Sequence, residues 1–220
     1  MAALWPAGWM PGNKAGWMPG GTAGWMPGVV VGGGTGGGTA PLILTAALPP
    51  ALQAAADAAR SRLYPEGAAR APAHLGLFRH LPGTMADDLG HDIRALAAQM
   101  PAPMLELCPA HRKAGALMLP VQSLALDHLR ADLAARWHGL LAPGDIAPPA
   151  LHITLAGARA PARQTTVTGA RAPCAPASQT AQIPPALAAA QWRCPGLLLW
   201  RVGGYGEACW SPLVAWRFHR

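Results

Sequence analysis

The sequence predicts an α/β (α+β) fold, and three observations carry that prediction. From residue 41 onward, strand-length apolar runs alternate with segments whose apolar residues recur at helical spacing. Hydrophobic residues make up 51% of the 220-residue chain, enough for one core. The glycine excess, which would argue against a packed domain, is local: 13 of the 26 glycines lie within residues 1–39. The folding unit is therefore read as 40–220, with 1–39 as a low-complexity tail.

The tail repeats Ala-Gly-Trp-Met-Pro-Gly at 7–12, 15–20 and 23–28, then runs through three valines into a Gly-Gly-Gly-Thr repeat at 32–39. Its period of eight is too short for a solenoid unit, and each Pro-Gly breaks both helix and strand. A disordered tail ending in a flexible linker follows. The glycine run is no phosphate loop, because no Gly-Lys-Ser/Thr ends it. Trp9, Trp17 and Trp25 would suit stacking on bases or a partner groove, and an extension without fixed structure accounts for them as well.

Residues 41–48 form a compact apolar run of strand length. Two prolines then open the Ala-rich helical segment 51–63, which carries Asp57, Arg60 and Arg62. Residues 73–78 read as a strand, 79–84 as a turn around Pro82-Gly83, and 86–100 as an amphipathic helix with Leu89, Ile93 and Leu96 on one face. Residues 104–108 and 114–119 read as short strands joined by the basic turn 110–113. Ser123 caps a helix that reaches Trp137, with Asp127, Arg130, Asp132 and Arg136 on its wet side. Residues 151–155 are a strand, and 197–202 and 213–218 supply two more. Between them, 156–182 loses apolar periodicity, and Pro161, Pro173 and Pro176 rule out a long helix there.

Charge divides the chain in a different way. The net charge is +7, and 15 of the 17 basic residues are arginine. Residues 51–145 balance nine basic against nine acidic side chains, whereas 146–220 hold seven arginines against Glu207 alone. Such a surface favours polyanions, nucleic acid or nucleotides, over acidic proteins. The cysteines at 108, 174, 194 and 209 are too irregular for a disulfide framework, so a reduced, cytoplasmic protein is predicted. Without an 18-residue apolar run or a basic-led apolar segment, neither membrane span nor signal peptide is predicted. Cys108 and His111 have no second close pair to complete a metal site, and no Gly-x-Ser-x-Gly elbow occurs, so no metal and no serine nucleophile are predicted.

Two strands contain a histidine followed by small or hydroxyl residues: His74-Leu75-Gly76-Leu77 and His152-Ile153-Thr154-Leu155. Residues two apart on a strand share a face, so His152 and Thr154 would enter one cleft while Ile153 and Leu155 bury behind them. Either tetrapeptide alone fits an ordinary half-buried histidine. Two of them, each on a strand that follows a helical segment, make a stronger pattern.

With these motifs the chain resembles the 2H phosphoesterases, specifically the 2′-5′ RNA ligase or RNA 2′,3′-cyclic phosphodiesterase branch. That family carries two His-x-Thr/Ser-x motifs, one per lobe of a pseudo-symmetric fold, facing across a central cleft. The similarity covers residues 40 to about 155, including 41–48, 71–83 and the helix 124–137, and returns at 196–202 and 216–218. It implies a two-lobed fold and metal-independent acid–base catalysis by His74 and His152, with Thr154 on the phosphate. RNA or a cyclic nucleotide is then the substrate, without cofactor, and the protein acts as a monomer. A non-catalytic RNA- or nucleotide-binding descendant is the alternative.

Two departures stand out. Gly76 replaces the family's first Thr or Ser, removing one phosphate donor; its backbone N–H, or Arg79 and His80, would have to substitute. The acid-free stretch 156–182 reads as a GC-rich frame translated out of register, which together with the tail marks a degraded or partly mis-translated member.

Overall fold

The computed structural model describes residues 38–147, 150–157, 183–184, 187, 191–203 and 210–219. The tail expected at 1–39 lies outside them except for its last two residues. So do 158–182, where the irregular and frame-shifted readings fall.

The chain opens with β1 (Leu42–Ala46), α1 (Pro50–Leu63), α2 (Pro65–Arg70) and β2 (Leu75–Leu81), then a 3-10 turn and α3 (Ala86–Gln99). Next come β3 (Met104–Leu107), β4 (His111–Lys113), β5 (Ala116–Gln122), α4 (Leu124–Arg136), α5 (Pro143–Ile146) and β6 (His152–Ala156). β7 (Gln191–Arg193), β8 (Gly196–Val202) and β9 (Trp210–Arg217) complete it. The sheet runs β7-β3-β5-β6-β2-β1-β8-β9, with β4 also paired to β5. Each of these strand pairings is antiparallel. The strand order has a pseudo-two-fold axis between β2 and β6: β1 answers β5, and the crossover helix α1 between β1 and β2 answers α4 between β5 and β6.

Strand alternation separates a packed face from a working face. Leu42, Leu44, Leu75, Leu77, Leu117, Leu119, Ile153 and Leu155 bury in the main core. Helix α1 adds Leu52, Ala56 and Ala59, α3 adds Leu89 and Ile93, and α4 adds Leu126, Leu129 and Leu133. On the opposite face Ile43, Ala47, Leu198 and Trp200 form a second, smaller cluster. Because β1 is covered on both faces, all five of its residues are buried, which explains an unbroken apolar run in place of an alternating one.

Two expectations are corrected. The basic segment at 110–113 is not a turn, since His111–Lys113 is β4, and the reversal is made by Ala114 and Gly115 at φ 48° and 83°. A two-residue hairpin needs left-handed backbone at both central positions; Ala-Gly supplies this without the usual Asn-Gly or Asp-Gly signal. The turn expected at 79–84 begins later as well, because β2 continues through Leu81. Helices α2 and α5 and strand β7 are too short to show a period.

The extension of β2 has a specific cause. Its register against β1 shifts twice, between the pairs Thr45–Gly76, Leu44–Phe78 and Leu42–Leu81, so Leu77 and then Arg79 or His80 are extra residues. Asp145, 1% exposed, accepts the N–H groups of Arg79 (3.0 and 3.1 Å) and His80 (2.9 Å). Arg130 donates from Nε to the Leu77 carbonyl (2.8 Å) and from Nη2 to the Asp145 carbonyl (2.9 Å). Arg130, placed on the wet side of its helix by periodicity, is thus buried at 4% exposure over the Phe78 ring. The expected Ser123 cap does form, accepting the Leu126 N–H at 3.3 Å. Replacing Asp145 by Ala strands two backbone donors and should cost about 2–4 kcal/mol of unfolding free energy. Urea denaturation reads this, and a loss below about 1 kcal/mol would show that the bulge does not depend on the carboxylate.

Candidate active site

The working face of β2 and β6 floors a cleft of about 680 Å³. All six residues singled out from sequence, His74, Gly76, Arg79, His80, His152 and Thr154, line it. The register explains why. Leu75 pairs with Ile153 in antiparallel sense, so one residue to either side His74 stands opposite Thr154 and Gly76 opposite His152. Each histidine faces the third position of the other motif.

The two imidazoles are held in the same way. The Nδ1–H of His74 donates to the Pro72 carbonyl and that of His152 to the Ala150 carbonyl, both at 2.8 Å and both two residues back. A carbonyl only accepts, so Nδ1 carries a proton in each ring and Nε2 is left for the cleft. Polar groups of α1, Gln53 and Arg60 buried and Asp57 half-buried, fix the strands beneath. Asp57 accepts the Ala73 N–H (2.6 Å), Gln53 donates to the Ala73 carbonyl (2.8 Å), and Arg60 donates to the Thr154 carbonyl (2.7 Å). Arg60 is 6% exposed and also reaches the Ala71 and Gly67 carbonyls.

The rings differ in their surroundings. Trp210 tilts over His74 with ring centroids 4.4 Å apart, and itself leans on Trp200 at 5.8 Å. Burial, followed by the positive fields of Arg60, Arg79 and His152, pushes the His74 pKa down to about 4, partly opposed by the Pro72 hydrogen bond. His74 is therefore neutral near pH 7. Gly76 fits no steric rule, since a Cβ there would meet only His74 Cδ2 at 4.0 Å, and its φ lies outside the left-handed region. Packing therefore does not impose the absence of a side chain there.

The cleft also contains residues that motif reading missed. Trp210 arrives from the last strand, and no local signal places it beside His74. His111 and Lys113 arrive on the β4–β5 hairpin, and the basic run of the sequence was their only trace. Among the described residues no carboxylate lines the cleft, and no three His, Cys, Asp or Glu side chains are arranged to hold a metal. Cys194 is buried with its thiol pushed up to about 12, so it offers no thiolate nucleophile. Among the described residues no helix is long and apolar enough to cross a membrane.

A pseudo-symmetric antiparallel sheet with one imidazole from each half facing a shared cleft defines a two-lobed α/β protein of the two-histidine class. The chain belongs to the 2′-5′ RNA ligase superfamily, whose family model matches residues 48–204. Its fold is shared with TT0787 of Thermus thermophilus at TM-score 0.55 and 22% identity, covering 81% of this chain and 97% of that one. A crystal structure described as a phosphoesterase is similar at TM-score 0.50 and 17% identity, covering 83% of this chain and 99% of that one. E. coli LigT complexed with 3′-AMP is similar at TM-score 0.46 and 15% identity, over 83% of this chain and 99% of that one. No curated protein matches the chain.

Proposed function

We propose that the cleft is the active site of a metal-independent phosphodiesterase acting on 2′,3′-cyclic phosphate or 2′-5′ linked RNA and nucleotides. The protein would work as a cytoplasmic monomer. The observation that carries this reading is the pair of mirrored histidines, each with Nδ1 tied back and Nε2 presented to one cleft.

The roles follow from protonation. A group with a pKa of about 4 holds no proton to give at neutral pH, so His74 is the general base and His152 the general acid. His74 Nε2 takes a proton from water as its oxygen bonds to phosphorus. The bond from phosphorus to one ribose oxygen breaks, and His152 Nε2–H protonates that oxygen. With a ribose hydroxyl in place of water, the same forward steps form a new phosphodiester as the cyclic one opens. The Thr154 hydroxyl and His80 donate hydrogen bonds to the non-bridging oxygens and Arg79 offsets their charge, the task that a metal performs elsewhere. The missing hydroxyl at Gly76 supports a second reading, in which the same cleft binds RNA or nucleotide without turnover.

Hydrolysis of a 2′,3′-cyclic mononucleotide in excess chelator is the test. The rate should be unaffected by the chelator. Protonation of His74 removes the base, so kcat/KM should fall as pH drops through about 4. Absence of turnover together with tight nucleotide binding would favour the second reading.

A further inference from the structure

We propose that the β4–β5 hairpin forms a second anion subsite, His111 with Lys113, which holds a phosphodiester of an RNA strand next to the phosphate being processed. This rests on the phosphodiesterase reading and names the substrate class that the site prefers. Three observations support it.

The first is position. His111 pairs with Met118, and Met118 pairs with Thr154, so the three lie in one row across the sheet on the cleft face. His111 thus stands two strand spacings, about 10 Å, from Thr154. Met118 stands between them in the row, so an anion seated on His111 and Lys113 lies to one side of the phosphate on Thr154. Lys113, two residues on, shares its face and extends the row along the hairpin.

The second is charge. Arg79 lies close enough to His74 to depress its titration, so it accompanies the reacting phosphate. Lys113, at the other edge, is a further cation in a cleft that no described carboxylate lines, and one cyclic phosphate cannot neutralise both. The third is rigidity. The left-handed pair Ala114-Gly115 and the bond from Arg112 Nη1 to the Gly115 carbonyl (3.2 Å) shape the tip, so the cations are held on a defined turn.

The test compares a 2′,3′-cyclic mononucleotide, the same nucleotide with a 5′-phosphate, and a short oligoribonucleotide ending in the cyclic phosphate. The wild-type protein should prefer the oligonucleotide in kcat/KM by about tenfold, as one charge-assisted hydrogen bond allows. Lys113→Ala with His111→Ala should abolish that preference, and Lys113→Arg should retain it. Binding to an oligoribonucleotide with a 3′-phosphate is measured in parallel by tryptophan fluorescence. The slope of log affinity against log salt should drop by about 0.7 for each phosphate that the variant no longer neutralises. An unchanged preference and salt slope in the variant would overturn the subsite while leaving the phosphodiesterase reading intact. A gain from the 5′-phosphate equal to that of the oligonucleotide would overturn the strand in favour of a small nucleotide. If the wild type turned over none of the three, the phosphodiesterase reading would fail, and the salt slope would still decide the subsite.

Discussion

His152→Ala should lower kcat for hydrolysis of a 2′,3′-cyclic mononucleotide by about 10²–10⁴-fold, the usual loss when a general acid is removed. The leaving ribose oxygen then departs unprotonated, which is the harder half of the displacement. His74→Ala should cost a similar factor through the water, and the double variant little more than either alone, because acid and base act on one transition state. Stability separates this from structural damage. The described hydrogen bond of the His152 ring is the one to the Ala150 carbonyl, at the cleft surface, so the variant should melt within a few degrees of the wild type. Equal rates for wild type and variant would remove the enzyme reading and leave the binding module.

Gly76→Thr should raise the rate, by up to about 10²-fold if the added hydroxyl reaches the phosphate as an oxyanion donor does. The register sets this position opposite His152, as Thr154 stands opposite His74, so the variant would complete the pseudo-two-fold arrangement. The backbone accepts it: a Cβ meets only His74 Cδ2 at 4.0 Å, and no left-handed φ has to be abandoned. A β-branched residue in place of a strand glycine should also add about 0.5–1 kcal/mol of stability. Gly76→Ala is the control, sharing part of the stability gain without the hydroxyl. If Thr and Ala behave alike in turnover, the hydroxyl was never missed, and Arg79, His80 or the Gly76 N–H already fills its place.

Much of this site was legible in the sequence because its signal is local. A strand fixes which residues share a face, so His152 with Thr154 and His74 with Gly76 could be placed from their spacing alone. The Ser123 cap was legible for the same reason, one side chain serving an amide three residues on. Periodicity misplaces Arg130 because it reports average polarity, and a guanidinium that satisfies the orphan carbonyl at Leu77 looks on paper like any exposed arginine. Asp145 gave no sign at all, since the amides it serves lie 65 and 66 residues away. The hairpin was displaced by a few residues because Ala114 adopts a left-handed conformation that its type rarely takes.

By itself the sequence determined the alternating α/β composition, the two histidine motifs and the family they resemble, all of which follow from patterns within a few residues. Only the tertiary structure decided that the motifs face each other in register, that Trp210 makes one imidazole unlike the other, and that His111 and Lys113 join the same cleft. Those facts depend on which distant strands pair, and pairing is set by burial of whole faces, which no local window contains.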